Sequence, residues 1–178
     1  VYTNGDCAEL FLNGKSLGVR CKNPKSENSA ERFRLMWKDV TWEPGELKAV
    51  AYREGRPIGE AAVRTAGKPV SLRLLPDRSQ INSDGSDLSF ITVEATDKDG
   101  NICPFADNTL EIKISGTGSF AGANNGNPRE MTSFRSTLYP LFNGKAVVIV
   151  KSSKLKGEIS VEVTSPGLKP AKTKIITR

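Results

Sequence analysis

The 178-residue sequence predicts an all-β protein built as two antiparallel β-sandwiches in tandem. Apolar and polar residues alternate with strand period through most of the chain, and helical periodicity is almost absent. Turn-forming residues break the alternation roughly every 8–12 residues, the spacing of short strands in a sandwich or barrel. The small and turn-forming run Thr65-Ala66-Gly67-Lys68-Pro69 marks a linker. The expected domains are therefore 1–66 and 67–178. The first is small for an independent sandwich and is expected to lack a strand at its N-terminal side.

The elements follow in order. Ala8, Leu10 and Leu12 alternate with Cys7, Glu9 and Phe11, which predicts a strand. Asn13-Gly14 then predicts a two-residue hairpin, because both central residues of a type I′ turn take positive φ. The return strand covers 16–20. Residues 22–30 are polar and contain Pro24, as a loop does. Phe33, Leu35 and Trp37 share one parity and predict a strand over 32–38. Glu43-Pro44-Gly45-Glu46 is a turn, with Pro fixing φ and Gly supplying freedom. Strands are expected over 47–53 and 58–64. In the second domain they are expected over 70–75, 88–96, around Leu110, Ile112 and Ile114, over 146–151, around Ile159, Val161 and Val163, and over 171–177. Asp97-Lys98-Asp99-Gly100-Asn101 closes a hairpin. The stretch 116–138 reads as one long loop.

Composition removes several chemistries. The chain has no histidine, which excludes histidine triads, histidine-ligated metals and imidazole switches. No apolar run approaches the roughly 20 residues of a membrane-spanning helix, and no membrane partner is expected. Lys and Arg number 26 against 20 Asp and Glu, a formal charge of +6. The basic residues are scattered, and the densest stretch, 151–156, sets three lysines among serines. That is a solvated surface, so no nucleic-acid partner is expected. Cys7 and Cys21 flank the first hairpin, where they come near each other. With Cys103 the count is odd, and three buried or idle thiols are expected. No metal site and no cofactor is expected. The chain begins at Val1 in strand-like sequence without an initiator Met, which reads as a segment of a longer protein.

Several motifs together resemble a known family. Tyr2-Thr3-Asn4 and the run from Ala8 through Glu9-Leu10-Phe11-Leu12-Asn13-Gly14-Lys15-Ser16-Leu17-Gly18 resemble a hairpin of glycoside hydrolase family 2. So do Trp37, Val40, Trp42-Glu43-Pro44-Gly45-Glu46-Leu47 and Arg64-Thr65-Ala66-Gly67. Asp84-Gly85-Ser86-Asp87, Gly122-Ala123-Asn124-Asn125-Gly126-Asn127-Pro128 and Phe142-Asn143-Gly144-Lys145 are similar to the C-terminal domain that follows in the bacterial β-galactosidase branch. The resemblance implies that both domains are immunoglobulin-like sandwiches. It further implies a bacterial, polysaccharide-degrading hydrolase as parent, periplasmic or extracellular. In such a parent the catalytic barrel, with its two glutamates, lies upstream. This segment would then be a non-catalytic accessory region whose partners are the upstream domains of its own chain.

The residues agree with a non-catalytic role. Asp84, Asp87, Asp97, Asp99, Asp107 and Glu130 all fall in turns or loops, where carboxylates bond nearby amides. A retaining glycosidase needs two carboxyl groups about 5–5.5 Å apart, one with a raised pKa, and no such pair is evident. Asp97 to Asn101 lacks the span and terminal Glu of a calcium loop. Oligosaccharide or polysaccharide binding is the alternative, since sugar rings stack on exposed aromatics. Trp37 is expected in the core. Trp42 opens a turn, with packing preferred over exposure, yet it is one candidate sugar or interdomain contact. The others lie in the 116–138 stretch: Phe120, Asn124, Asn125, Asn127 and Arg129. Three readings stand for that stretch: packing on a neighbouring domain, a structural excursion, and direct sugar contact.

Overall fold

The computed structural model describes residues 1–178. The chain is all-β, with thirteen strands and one helix of five residues. It divides into two compact units, Val1–Thr65 and Ala66–Arg178.

In the first unit, β1 (Cys7–Leu12), β2 (Lys15–Cys21), β3 (Glu46–Arg53) and β4 (Arg56–Arg64) form one antiparallel sheet in the order β2-β1-β3-β4. The β1–β2 hairpin turns at Asn13 and Gly14, with φ of 51° and 80°, as an Asn-Gly turn requires. Asn13 also fastens the approach to β3. Its Nδ2 donates to the Pro44 carbonyl at 3.1 Å, and its Oδ1 accepts from the Glu46 amide at 2.8 Å. Gly45 sits there at φ 133°, where a Cβ would overlap Asn13 Oδ1. One sheet face carries Ala8, Leu10, Leu47, Ala49, Ala51, Ala61 and Val63 in register. The opposite face is charged, with Lys48 paired to Glu60 and lying over the Phe11 ring.

Two expectations change in this unit. Residues 32–38 are not a strand. They are the end of α1 (Ser29–Phe33), capped by the Asn28 side chain on the Ala30 amide, followed by irregular chain. Of the alternating trio only Leu35 is buried. Phe33 is exposed, and Trp37 is half-buried with Nε1 donating to the Gly18 carbonyl at 3.2 Å. The strands of this unit form one four-stranded sheet, and the chain facing it is held by a single pair of backbone hydrogen bonds, between Val1 and Leu35. Second, Cys7 and Cys21 are not free thiols but a disulfide. The hairpin register puts them directly opposite each other. Cys103 is free and buried, as expected.

The second unit is a two-layer sandwich. Its strands are β5 (Ser71–Pro76), β6 (Gln80–Ile81), β7 (Leu88–Thr96), β8 (Thr109–Gly116), β9 (Gly118–Asn124), β10 (Leu138–Pro140), β11 (Lys145–Ser152), β12 (Gly157–Ser165) and β13 (Leu168–Thr177). One layer runs β5-β7-β11-β9 and the other β10-β8-β12-β13, with β6 beside β13. β5 also meets β13 in parallel at Ser71 and Lys169, so hydrogen bonding passes from one layer into the other. Inward residues follow the pleat. Ile91, Val93, Val148 and Val150 come from the first layer, and Leu110, Ile112, Ile159, Val161, Val163 and Ile175 from the second, all buried.

The stretch 116–138 corrects the expected long loop. It holds β9 on the free edge of β11, and only Thr117 and 125–137 are irregular. β9 is rich in Gly, Ala and Ser, so its alternation carries little hydrophobic signal. Gly118 is needed because a Cβ there would overlap the Ile159 side chain and the Lys151 carbonyl. β6 and β10 are too short to show any period.

One buried charge lies on the outer face. Glu94 on β7 is 4% exposed and is flanked in register by Arg73 on β5 and Lys145 on β11. Arg73 donates Nε and Nη2 to one carboxylate oxygen at 2.9 and 2.7 Å, and Lys145 reaches the other at 3.1 Å. Burial alone would raise the Glu94 pKa, but the two cations bring it below its usual range. Glu94→Gln leaves both cations short of a partner. Because they are about half exposed, water offsets part of the loss. The expected cost is about 1–2 kcal/mol by urea unfolding, against less than about 0.5 kcal/mol for the exposed Glu111→Gln. Equal midpoints for the two variants would contradict this account.

Candidate functional site

The end of β9 and the irregular chain after it bring four of the six candidate residues together, and each of the three asparagine side-chain oxygens is used internally. Asn124 Oδ1 accepts from the Gly126 amide at 2.6 Å. Asn125 Oδ1 accepts from the Asn127 amide at 2.9 Å, and its Nδ2 donates to the Pro140 carbonyl at 3.1 Å. Asn127 Oδ1 accepts from the Arg129 amide at 3.0 Å. These are successive Asx turns, in which a side-chain oxygen stands in for a backbone acceptor. The Arg129 side chain is exposed. Phe120 stands apart on β9, half-buried and packed on the core. Trp42 belongs to the first unit and is 75% exposed, not packed. It lies in irregular chain, where no neighbouring strand supplies a layer to cover it.

Three further residues escaped the sequence reading. Phe105 is 95% exposed and Met131 92%, with Phe142 at the margin of exposure. Phe134, on the same segment as Met131, is also exposed. The chain around Phe105 is tied to that around Phe142, since the Gly144 amide donates to the Ala106 carbonyl and Leu141 to Asn108. Phe105 lies in a turn and Phe142 in an isolated bridge flanking one, both outside any alternation, so strand parity could not place them. A large apolar residue inside a turn-rich run was the one available signal.

Four of the six candidate acids, Asp84, Asp87, Asp97 and Glu130, bond backbone amides, while Asp99 pairs with Lys98. Asp97 is buried, and its Oδ2 accepts from the Gly67 amide at 2.8 Å. Its Oδ1 accepts from the amides of Asp99 and Asn101, both at 2.9 Å. These bonds, that from Gly67 first, lower its pKa to about 2. Asp84 is lowered by the Ser86 amide and then by Asp87, and Asp87 by the Asn82 amide and then by Arg78. Glu130 is lowered by Thr132, through side chain and amide. Tyr139 is wholly buried near Glu130 and its hydroxyl has no partner in the protein. Burial raises its pKa, with the Glu130 charge adding to it. No group of three or more acids and cysteines is arranged to hold a metal ion. In the first unit a polar cleft of about 330 Å³ is lined by charges of both signs, Arg20, Arg34 and Lys38 with Glu31 and Asp39.

Comparison with known proteins places these units. The model of glycoside hydrolase family 2 C-terminal domain 5 matches residues 72–174, and a domain of unknown function, DUF4982, matches residues 1–59. A β-galactosidase of Bacteroides ovatus is 40% identical over 98% of this chain, which spans only 20% of that protein. A β-glucuronidase of Formosa agariphila is 28% identical over 95% of this chain and 17% of its own length. A crystal structure of a glycosyl hydrolase family 2 member from Bacteroides cellulosilyticus superposes with a TM-score of 0.87 at 34% identity, over 99% of this chain and 22% of that one.

The lowered carboxylates set the acid limit of the second unit. A group whose folded pKa is depressed adds stability that is complete above its unfolded value, near 3.8, and is lost as pH falls toward the folded value, about 2 for Asp97. The melting temperature is expected to hold down to about pH 4 and to fall below it. Asp97→Asn should melt lower at neutral pH and lose less on acidification. Parallel pH profiles for the two proteins would refute the assignment.

Proposed function

The chain belongs to glycoside hydrolase family 2, and from that premise we propose that it is the non-catalytic C-terminal accessory region of a β-galactosidase-type enzyme. In this role it braces the catalytic barrel and the approach to its substrate. The observation that carries the proposal is the set of large apolar side chains left in solvent: Phe105, Met131 and Phe134 in the second unit, Trp42 and Val63 in the first. Exposed apolar groups of this kind mark docking surfaces. The acids support the same reading. Every carboxylate with a shifted pKa is lowered, whereas a glycosidase's general acid is raised. The parent on this proposal is a retaining enzyme whose two carboxylates lie in its barrel. It is periplasmic or extracellular, and the Cys7–Cys21 disulfide supports an oxidising compartment.

In the full-length parent, combining Phe105→Asp with Met131→Asp is expected to lower the temperature of inactivation. The same pair should leave the melting temperature of the 178-residue chain unchanged. A parent that tolerates both charges as well as this chain does would exclude docking through these residues.

One observation favours a second reading, a carbohydrate-binding module: Trp42 is exposed like a sugar-stacking platform. Calorimetric titration with galactosides and plant polysaccharides tests it. Saturable binding, even with a Kd of about 1 mM, that disappears in Trp42→Ala or in an Asn124/Asn125 double variant would establish the module. A flat titration of the folded chain leaves the architectural role.

A further inference from the structure

The polar cleft of the first unit lies between two walls that the fold ties together. One wall is the end of β2, with Arg20. The other is α1 and the chain after it, with Glu31, Arg34, Lys38 and Asp39. The Cys7–Cys21 disulfide fixes the end of β2 on β1. Trp37 Nε1 donates to the Gly18 carbonyl at 3.2 Å, which fastens the second wall to β2. The Asn23 amide donates to the Glu31 carbonyl at 3.0 Å, which fastens α1 to the chain leaving β2. Leu35 and Met36 supply the apolar part of the lining.

The charges of the cleft do not neutralise one another, because the chain's ion pairs all lie elsewhere. Arg34 Nη1 makes one long bond, to the Tyr2 hydroxyl at 3.4 Å, and Glu31 Oε2 accepts from Ser26 Oγ at 2.6 Å. The rest of this donor and acceptor capacity faces solvent, since all five charged residues are exposed. Three cations around one concavity of about 330 Å³ draw an anion toward it. A guanidinium fork matches a pair of carboxylate or sulfate oxygens. The two carboxylates beside them would repel a bare anion. They suit a ligand that also carries hydroxyl groups, whose hydrogens they accept.

We propose that this cleft binds an acidic saccharide. Arg20, Arg34 and Lys38 take its carboxylate or sulfate group, Glu31 and Asp39 its hydroxyls, and Leu35 and Met36 the C–H side of a ring. The sugar follows from the chain's membership of a glycoside hydrolase family and the acid group from the cleft, so neither the accessory role nor Trp42 is needed. Binding there attaches the enzyme to an acidic polysaccharide.

The test is calorimetric titration of the folded 178-residue chain at low salt. The probes are trigalacturonate for the carboxylate, a monosulfated galactobiose for the sulfate ester, unmodified galactobiose, and inorganic sulfate. At least one acidic saccharide is expected to bind with a Kd of about 1 mM or tighter, and at least about tenfold more tightly than galactobiose or inorganic sulfate. Which of the two binds assigns the acid group. Arg20→Gln and Arg34→Gln should each weaken that binding at least about tenfold, with the melting temperature unchanged. Asp39→Ala should weaken the saccharide and tighten inorganic sulfate. Galactobiose bound equally well, or affinity that survives both arginine changes, overturns the proposal. Inorganic sulfate bound as tightly as the saccharides leaves an anion site only and overturns it too. Loss of binding in Trp42→Ala does the same, since the sugar then sits on that ring, as does a flat titration with both acidic saccharides. The accessory reading fails separately, through the charged variants of Phe105 and Met131.

Discussion

The burial of two pleated faces against each other is the constraint on which the second unit depends. Ile91, Val93, Val148 and Val150 on one layer meet Leu110, Ile112, Ile159, Val161 and Val163 on the other. With a side-chain period of two, a slip of one residue in any strand would carry its apolar set into water. Register is therefore strongly specified, and the rest follows from it. β5 has to satisfy partners in both layers, pairing antiparallel with β7 and in parallel with β13. The β8–β9 corner must come so close to β12 that a side chain at Gly118 would strike Ile159. Glu94 is held on the outside of its layer only because the same register sets a cation on each side of it.

Where the ladders end, side-chain oxygens take over from backbone carbonyls. Asp97 gathers the amides of Gly67, Asp99 and Asn101, and Asp84, Asp87 and Asn124 to Asn127 do the same in their own turns. An exposed loop with no apolar payload has little else to order it, and an amide left without an acceptor is costly once it is even partly buried. The carboxylates consumed in this way are kept ionised. A general acid needs the opposite environment, in which the neutral form is stabilised. The same hydrogen bonds that tie these loops together make them unsuited to proton transfer.

The two units stand differently toward their surroundings. Residues 66–178 enclose a core between their two layers and leave single large apolar groups, Phe105 and Met131, exposed on loops. Residues 1–65 enclose a partial core beneath β1 and leave β4 open. Both arrangements suit a region whose exposed apolar surface meets other polypeptide. The disulfide across β1 and β2 fixes the hairpin that frames the less complete of the two.

The sequence by itself determined the all-β class, nearly every long strand and the Asn13-Gly14 turn, because those depend on local alternation and on φ. Its motifs also carried the family, through long runs such as Glu9 to Gly18. The strand over 32–38 was legible in parity yet did not form, since a strand needs a continued ladder and this segment has only the Val1–Leu35 pair. β9 was invisible because glycine and alanine give a weak alternation, and its place comes from the edge of β11. Of the candidate site, the three asparagines could be read as turn formers. The exposure of Trp42, Phe105 and Met131 could not, because exposure is set by what other segments fail to cover. The pairing of Cys7 with Cys21 and the burial of Glu94 between Arg73 and Lys145 were likewise decided by register, which brings together residues that the sequence holds apart.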